Sequence, residues 1–234
     1  MSVPADILTL VAVRLKSRRL PRKALADLAG KPLIQRLTER VAQAQHPKVV
    51  YWCTSTNPED DPLEALAETS EAWIYRGDEL DVISRFIEVA WSRSAEIVVR
   101  VTGDNPLTDP SMIDYMIDEH RKNGADYTYC DALPRGTRSE IISVSALEEC
   151  HALADDPSSS EYMTYMLRRP DHFQVLEVTP SHAQLNRPDL RLTCDEPADL
   201  EVLQRLYDAF EGAPPPLPEI IAWLDANEDV SALN

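Results

Sequence analysis

The chain predicts an α/β fold, a mostly parallel sheet between helices in three α/β/α layers. Short apolar runs rich in β-branched residues alternate with segments of helical period from residue 7 to residue 122. No period of about 20–50 residues repeats, which argues for one layered domain rather than a solenoid. With 234 residues, 44% hydrophobic and 27% charged, the chain is globular and long enough to bury a core without disulfide or metal staples.

The elements follow in order. Residues 7–13, Ile-Leu-Thr-Leu-Val-Ala-Val, form a continuous apolar run, as a strand covered on both faces requires. Leu33, Ile34, Leu37, Val41 and Ala44 then recur at helical spacing over 32–45, and 49–53 is a second strand. A short helix is expected over 60–68, a strand over 72–75, and a helix over 81–91 carrying Val82, Ile83, Phe86 and Val89. A fourth strand at 96–101 leads through a turn into a helix at 110–122. The second half is less regular. Strands are expected at 127–129 and 140–144, flanking the turn Leu-Pro-Arg-Gly at 133–136. Ser145 and Glu148 have capping-box spacing and predict a helix to about 153. Helix 160–167, strands 173–178 and 190–194, and helix 197–210 follow. Prolines make 212–218 a stiff linker to a last helix at 219–226.

Charge is unevenly spread. The net charge is −17, yet residues 1–50 carry +7 and residues 51–234 carry −24. Overall acidity argues against a nucleic-acid or membrane partner, both of which demand dense positive charge. No run approaches the length of a bilayer span and the first residues lack a signal-peptide layout, so a cytoplasmic protein is expected. Cys53, Cys130, Cys150 and Cys194 lie far apart and are expected as reduced thiols.

Right-handed crossovers bring the loops after successive parallel strands to one sheet edge. Three such loops carry chemistry. Residues 14–23 hold six cations, Arg14, Lys16, Arg18, Arg19, Arg22 and Lys23, with the Ser17 hydroxyl among them, a set suited to a polyphosphate. Residues 102–109 place Asp104 just after a strand, and 193–197 place Asp195 ahead of a helix opened by Pro197. Taken singly, Asp104 reads as a turn-former and Asp195 as a helix cap. Facing a cationic loop together, they read as a magnesium–nucleotide site, because magnesium favours one or two carboxylates plus phosphate oxygens.

Residues 11–23 followed by Leu-Ala-Gly-Lys-Pro-Leu-Ile at 28–34 resemble the opening of the sugar-acid cytidylyltransferases. These comprise the acylneuraminate and Kdo enzymes and the spore-coat-polysaccharide branch, to which the chain is most similar. The resemblance continues at 56–62, 75–78, 81–82 and 100–106, resumes at 190–197 and reaches 224–227. It implies a nucleotide-diphospho-sugar transferase fold of Rossmann-like type, Mg2+, and transfer of CMP from CTP to a small acidic acceptor. Matched by position, Arg14, Ser17, Arg19 and Lys23 would bind the triphosphate, and Asp104 and Asp195 the metal. Thr102 would lie near the ribose or acceptor, and the main chain at Ala12 and Val13 with Arg76 and Gly77 would face the base. Glu140 and Glu161 read either as contacts to acceptor or ribose hydroxyls or as surface or interface residues. Arg14, Lys23, Asp104 and Asp195 would be the catalytic set. The domain would cover 1–211, with about 127–180 as acceptor lid and homodimer surface, and 212–234 as linker and terminal helix.

Two departures bear on function. The family has glycine where this chain has Lys16 and, commonly, Arg22, and a glycine-less loop gives up easy access to positive φ. At 161–164 the chain reads Glu-Tyr-Met-Thr where relatives carry Glu-His-x-Thr. A glycosyltransferase of the same fold is a rival, though the expected Asp-x-Asp is missing; a phosphonate acceptor and a degenerate nucleotide-binding subunit are others. The five histidines, at 46, 120, 151, 172 and 182, are expected at the surface. Trp52, Trp73 and Trp91 are expected in the core, Asp60-Asp61 at a helix start, and Met163 and Met166 in the core or at a subunit interface.

Overall fold

The computed structural model describes residues 6–154, 156 and 163–234. Strand β1 (Ile7–Ala12) lies inside a seven-stranded sheet, between β4 (Val50–Ser55) and β6 (Ile97–Thr102), both parallel to it. β5 (Trp73–Gly77) pairs parallel with β4 at one edge. On the other side β8 (Glu140–Ser143) runs antiparallel to β6, β7 (Tyr127–Tyr129) antiparallel to β8, and β9 (Val175–Glu177) parallel to β7. The order is therefore β5-β4-β1-β6-β8-β7-β9, with β8 alone reversed.

Both faces are covered, which is why β1 reads as an unbroken apolar run. Its Ile7 and Val11 pack under α1 (Leu33–Val41), α4 (Pro110–Asn123), α7 (Pro197–Ala209) and α8 (Leu217–Ala226). Its Leu8 and Leu10 pack against α3 (Val82–Arg93) and α5 (Val144–Ala152) on the other side. Each such side chain, fully buried, contributes roughly 1.5–3 kcal/mol. From β1 the chain builds outward through β4 and β5, then returns across β1 to β6, so the winding reverses between β1 and β6. The crevice beyond the carboxyl ends of those two strands is where this architecture binds ligands.

Several expectations are corrected. The strand foreseen at 190–194 is a single bridge, Arg135 to Arg191. The turn at 133–136 lies flat on this segment, backbone against backbone: a Cβ on Gly136 (φ +99°) would sit 2.2 Å from the Thr193 nitrogen. Helix α5 begins at Val144 with Ser143 at its N-cap, so Ser145 caps nothing, and Glu148 accepts instead from the Trp91 indole at 2.6 Å. The short ribbon β2 (Asp27–Leu28) and β3 (Lys31–Pro32) was not foreseen, since two-residue strands leave no periodicity to read.

Trp52 is buried, but Trp73 is 60% and Trp91 62% exposed. Trp73 lies on an edge strand, where it stacks on Tyr51 and covers the Arg93 guanidinium 4.8 Å from its ring centroid. His120 is buried rather than at the surface. It lies between the Thr128 and Ser143 hydroxyls at 2.9 and 3.1 Å, and burial pushes its pKa down to about 4. The proline-rich stretch is tied to α1, with Arg40 donating to the Pro214 and Pro215 carbonyls at 2.8 Å each. Helix α2 (Asp61–Ala67) and the buried Val230 of α9 (Glu228–Ser231) join the first core, and Leu167 of α6 (Met163–Leu167) joins the second. Among the described residues no helix is long and apolar enough to cross a membrane.

Candidate active site

A cleft of about 720 Å3 opens at the β1/β6 reversal. Its floor is Ala12 and Val13 at the end of β1 with Thr102 and Gly103 at the end of β6. Gly103 is required there, because a Cβ would stand 2.9 Å from the Val13 Cβ and 3.1 Å from the Ala12 carbonyl. The cationic loop forms one wall. Buried Leu15 anchors it, donating its N–H to Asp60 Oδ1 at 2.7 Å, and Arg22 N–H closes the loop on the Leu15 carbonyl at 3.0 Å. Asp60, expected as a helix start, is itself 2% exposed and also accepts from Ser55.

The absence of glycine does not deny this loop a left-handed residue. Arg22 stands at φ +57°, ψ +28°, just before a 3-10 turn over Lys23–Leu25. A side chain in that conformation costs about 1–2 kcal/mol, which the Leu15 and Asp60 anchors offset. Lys16 crosses the mouth of the cleft to Glu79 at 2.9 Å.

Lys23 lies at the centre. Its ammonium donates to Asp104 Oδ2 at 2.7 Å and to Asp195 Oδ1 at 2.8 Å, with all three side chains mostly shielded from solvent. Burial alone would lower the Lys23 pKa, but Asp104 and then Asp195 outweigh it and hold it above the usual lysine value. For Asp195, burial pushes upward, and Lys23, Arg19 and Arg191 together bring its pKa below the ordinary range. Asp195 does not end a strand, as the sequence suggested. It follows the bridged segment, whose Cys194 N–H donates to the Asp104 carbonyl at 2.8 Å and so ties the two aspartate loops together. Asp199, in the first turn of α7, accepts from the Asp195 and Glu196 N–H groups at 2.8 and 2.9 Å and takes Arg191 through two 2.7 Å bonds.

Two carboxylates converging on one positive point fit a divalent cation that takes its remaining oxygens from phosphates and water. Among the described residues no cluster of three or more acidic, histidine or cysteine side chains is positioned to hold a metal without such help.

Of the residues singled out in the sequence, Ala12, Val13, Arg14, Ser17, Arg19, Lys23, Thr102, Asp104 and Asp195 all line this cleft. Arg76 and Gly77 do not. The Arg76 guanidinium is held by Asp61 and Glu64 at 2.6 and 2.9 Å and by the Ser55 and Asn57 carbonyls. Gly77 packs beneath Tyr75 and the stem of Arg85. Glu140 stands behind the cleft wall, paired with Arg100 and accepting from the Tyr127 hydroxyl at 2.6 Å. Glu161 lies outside the described residues. Sequence reasoning missed Leu80, Arg85 and Arg100 as lining residues. The available signal was a cation inside an apolar period: Arg85 between Ile83 and Phe86, and Arg100 between Val99 and Val101.

A family model described as cytidylyltransferase matches residues 8–213. The spore coat polysaccharide biosynthesis protein SpsF of Bacillus subtilis is 31% identical over 232 residues, 97% of each chain. The 3-deoxy-manno-octulosonate cytidylyltransferase of Geobacter sulfurreducens is 36% identical over 120 residues, 51% of this chain and 47% of its own. Among solved structures, a cytidylyltransferase from Leptospira borgpetersenii superposes with a TM-score of 0.89 at 24% identity, covering 97% of both chains, which establishes the shared nucleotidyltransferase fold.

Proposed function

The chain belongs to the cytidylyltransferase family and is a CTP-using nucleotidyltransferase, and we propose that it transfers CMP from magnesium-bound CTP to a sugar acid or related acidic acceptor, releasing pyrophosphate. The observation that carries this reading is the Lys23 ammonium held between Asp104 and Asp195 at the edge of a cation-lined cleft. An oxygen of the acceptor bonds to the α-phosphorus as the α–β bridging P–O bond breaks, and pyrophosphate leaves with the electron pair. The acceptor's proton passes to a carboxylate of this pair. Negative charge builds on phosphoryl oxygens, so the protein's task is placement and countercharge.

A divalent cation bound by Asp104 and Asp195 would neutralise part of that charge. With the carboxylates so engaged, Lys23 would be free to donate to phosphate oxygens, while Arg14, Ser17 and Arg19 would hold the rest of the triphosphate. Arg22, in the left-handed conformation that the family's glycine would supply, supports a working loop over a degenerate one. The acceptor enters from the side of 127–180, and that segment also carries the surface we assign to a homodimer. A cytoplasmic role in precursor supply for surface polysaccharide is consistent with the likeness to the spore coat protein.

The test is pyrophosphate release from each of the four nucleoside triphosphates with Mg2+, against a panel of acidic sugars and phosphonates. CTP-selective release with one acceptor supports the reading and names the acceptor. Release that favours another nucleotide would overturn it.

A further inference from the structure

Arg85 is a buried cation of the cleft wall with no ion-pair partner among the described residues. It projects from the buried face of α3, is 3% exposed, and lines the cleft beside Val13, Leu80 and Val82. Among the described residues its one hydrogen bond is from Nη1 to the Cys53 carbonyl at 3.1 Å, the same carbonyl that receives the Val13 N–H. Its Nε is enclosed with no acceptor, and among the described residues Nη2 has none either. No carboxylate among the described residues comes within ion-pair distance. Burial lowers the Arg85 pKa and Arg14 adds to that, and the opposing influence of Cys53 and of the more distant Asp60 and Asp78 does not restore it. A buried cation in that condition is strongly destabilising unless an acceptor arrives. The fold nevertheless makes room for it: a Cβ on Gly77 would fall 2.8 Å from Arg85 Cγ, so glycine is what lets the arginine stem pass.

The rest of the cleft indicates which acceptor arrives. Loop cations, Asp104 and Asp195 mark the phosphate and metal end. Val13, Leu80 and Val82 give the cleft its apolar lining, and Leu80 stands 54% exposed. Leu80 is held out by a tight turn in which Asp78 Oδ1 accepts the Leu80 and Asp81 N–H groups at 2.8 and 2.9 Å. An apolar wall with a donor-only group at its base suits a planar heterocycle presenting acceptors. Cytosine presents two adjacent acceptors, O2 and N3, whereas uracil has a donor N–H at position 3. Arginine has donors only.

We propose that Arg85 reads the O2–N3 edge of cytosine, with Leu80 and Val82 covering the ring, and that this contact discriminates CTP from UTP. The inference rests on the CTP-using reading above and adds to it the residue that sets base selectivity. It also gives Gly77 an indirect role, as the space Arg85 needs.

The experiment is calorimetric titration of CTP, UTP and tripolyphosphate with Mg2+ into the unaltered protein, Arg85→Met and Arg85→Lys, with circular dichroism to verify folding. The unaltered protein should bind CTP more tightly than UTP. Arg85→Met should weaken CTP by roughly 10–100-fold, the worth of one good paired contact to a base edge. UTP and tripolyphosphate should be little changed. Arg85→Lys keeps the charge but not the paired donors and should also lose the preference, so it carries the test if the methionine variant misfolds. A CTP preference that survives in the folded variants would overturn the proposal. Equal loss of tripolyphosphate binding would also overturn it, by making Arg85 a phosphate contact. CTP and UTP binding equally to the unaltered protein would overturn the base reading alone, while no CTP binding at all would overturn the parent reading with it.

Discussion

Replacing Asp199 with asparagine tests how the site is held together. Asp199 is 1% exposed and accepts five hydrogen bonds: two from Arg191, two from backbone N–H groups of the segment carrying Asp195, and one from Asn234 at 2.9 Å. Burial would raise its pKa, yet Arg191 and the two backbone donors bring it from 3.8 to about 2. That difference corresponds to roughly 2 kcal/mol of folding stability at neutral pH. The amide also turns a donor toward groups that only donate, so a total loss of about 2–4 kcal/mol is expected, near the cost of breaking a buried pair. For a chain of this length the melting temperature should fall by roughly 5–12 °C. The sign follows from the direction of the shift. With the folded-state pKa depressed, the contribution is complete above the unfolded value and lost as pH falls through about 2. Circular-dichroism melts between pH 7 and pH 2.5 should therefore show the unaltered protein losing stability below about pH 4 more steeply than Asp199→Asn. A variant within about 2 °C of the unaltered protein at pH 7, with the same acid slope, would refute the reasoning.

Three further outcomes are expected. Asp104→Ala and Asp195→Ala should each lower magnesium-dependent pyrophosphate release by at least about 100-fold while circular dichroism stays native, and full activity in either would remove the metal assignment. Gly136→Ala drives a methyl group into the backbone at 192–193 from a residue at φ +99°. It should cost about 3 kcal/mol in denaturant unfolding and weaken Mg–CTP binding by shifting the segment that carries Asp195. Arg22→Gly relieves the left-handed strain of about 1–2 kcal/mol against a backbone-entropy cost of about 0.5–1, so a melting temperature raised by a few degrees is expected, and a lowered one would contradict the strain argument.

The sheet and the cleft floor were legible because their signals are local. β1, β4 and β6 are largely apolar runs, β6 broken only by Arg100 before its last two residues, and the residue after each is fixed by topology rather than by contact. The cleft-lining positions of Lys23 and Asp104 were readable for the same reason: both lie in loops that follow parallel strands. Asp195 was found with the wrong support, because its position depends on the Gly136 turn lying against 192–193, a contact between segments over 50 residues apart. Arg76 looked like a base contact because its sequence neighbourhood resembles one, yet Asp61 and Glu64 on α2 hold it away. Arg85 and His120 were hidden for a common reason. Each is a polar side chain on the buried face of a helix, and periodicity scores such a residue as an interruption rather than as the place where the core turns polar. Trp73 and Trp91 show the converse, apolar residues whose exposure follows from an edge strand and a helix rim.

The most direct test of the central claim is calorimetric binding of CTP with and without Mg2+. The Lys23–Asp104–Asp195 centre predicts tight, magnesium-dependent binding of CTP and loss of the magnesium dependence in Asp104→Ala, and the base end of the cleft at Arg85 and Leu80 predicts much weaker binding of ATP and GTP. Binding of all four nucleotides alike, indifferent to magnesium, would contradict it.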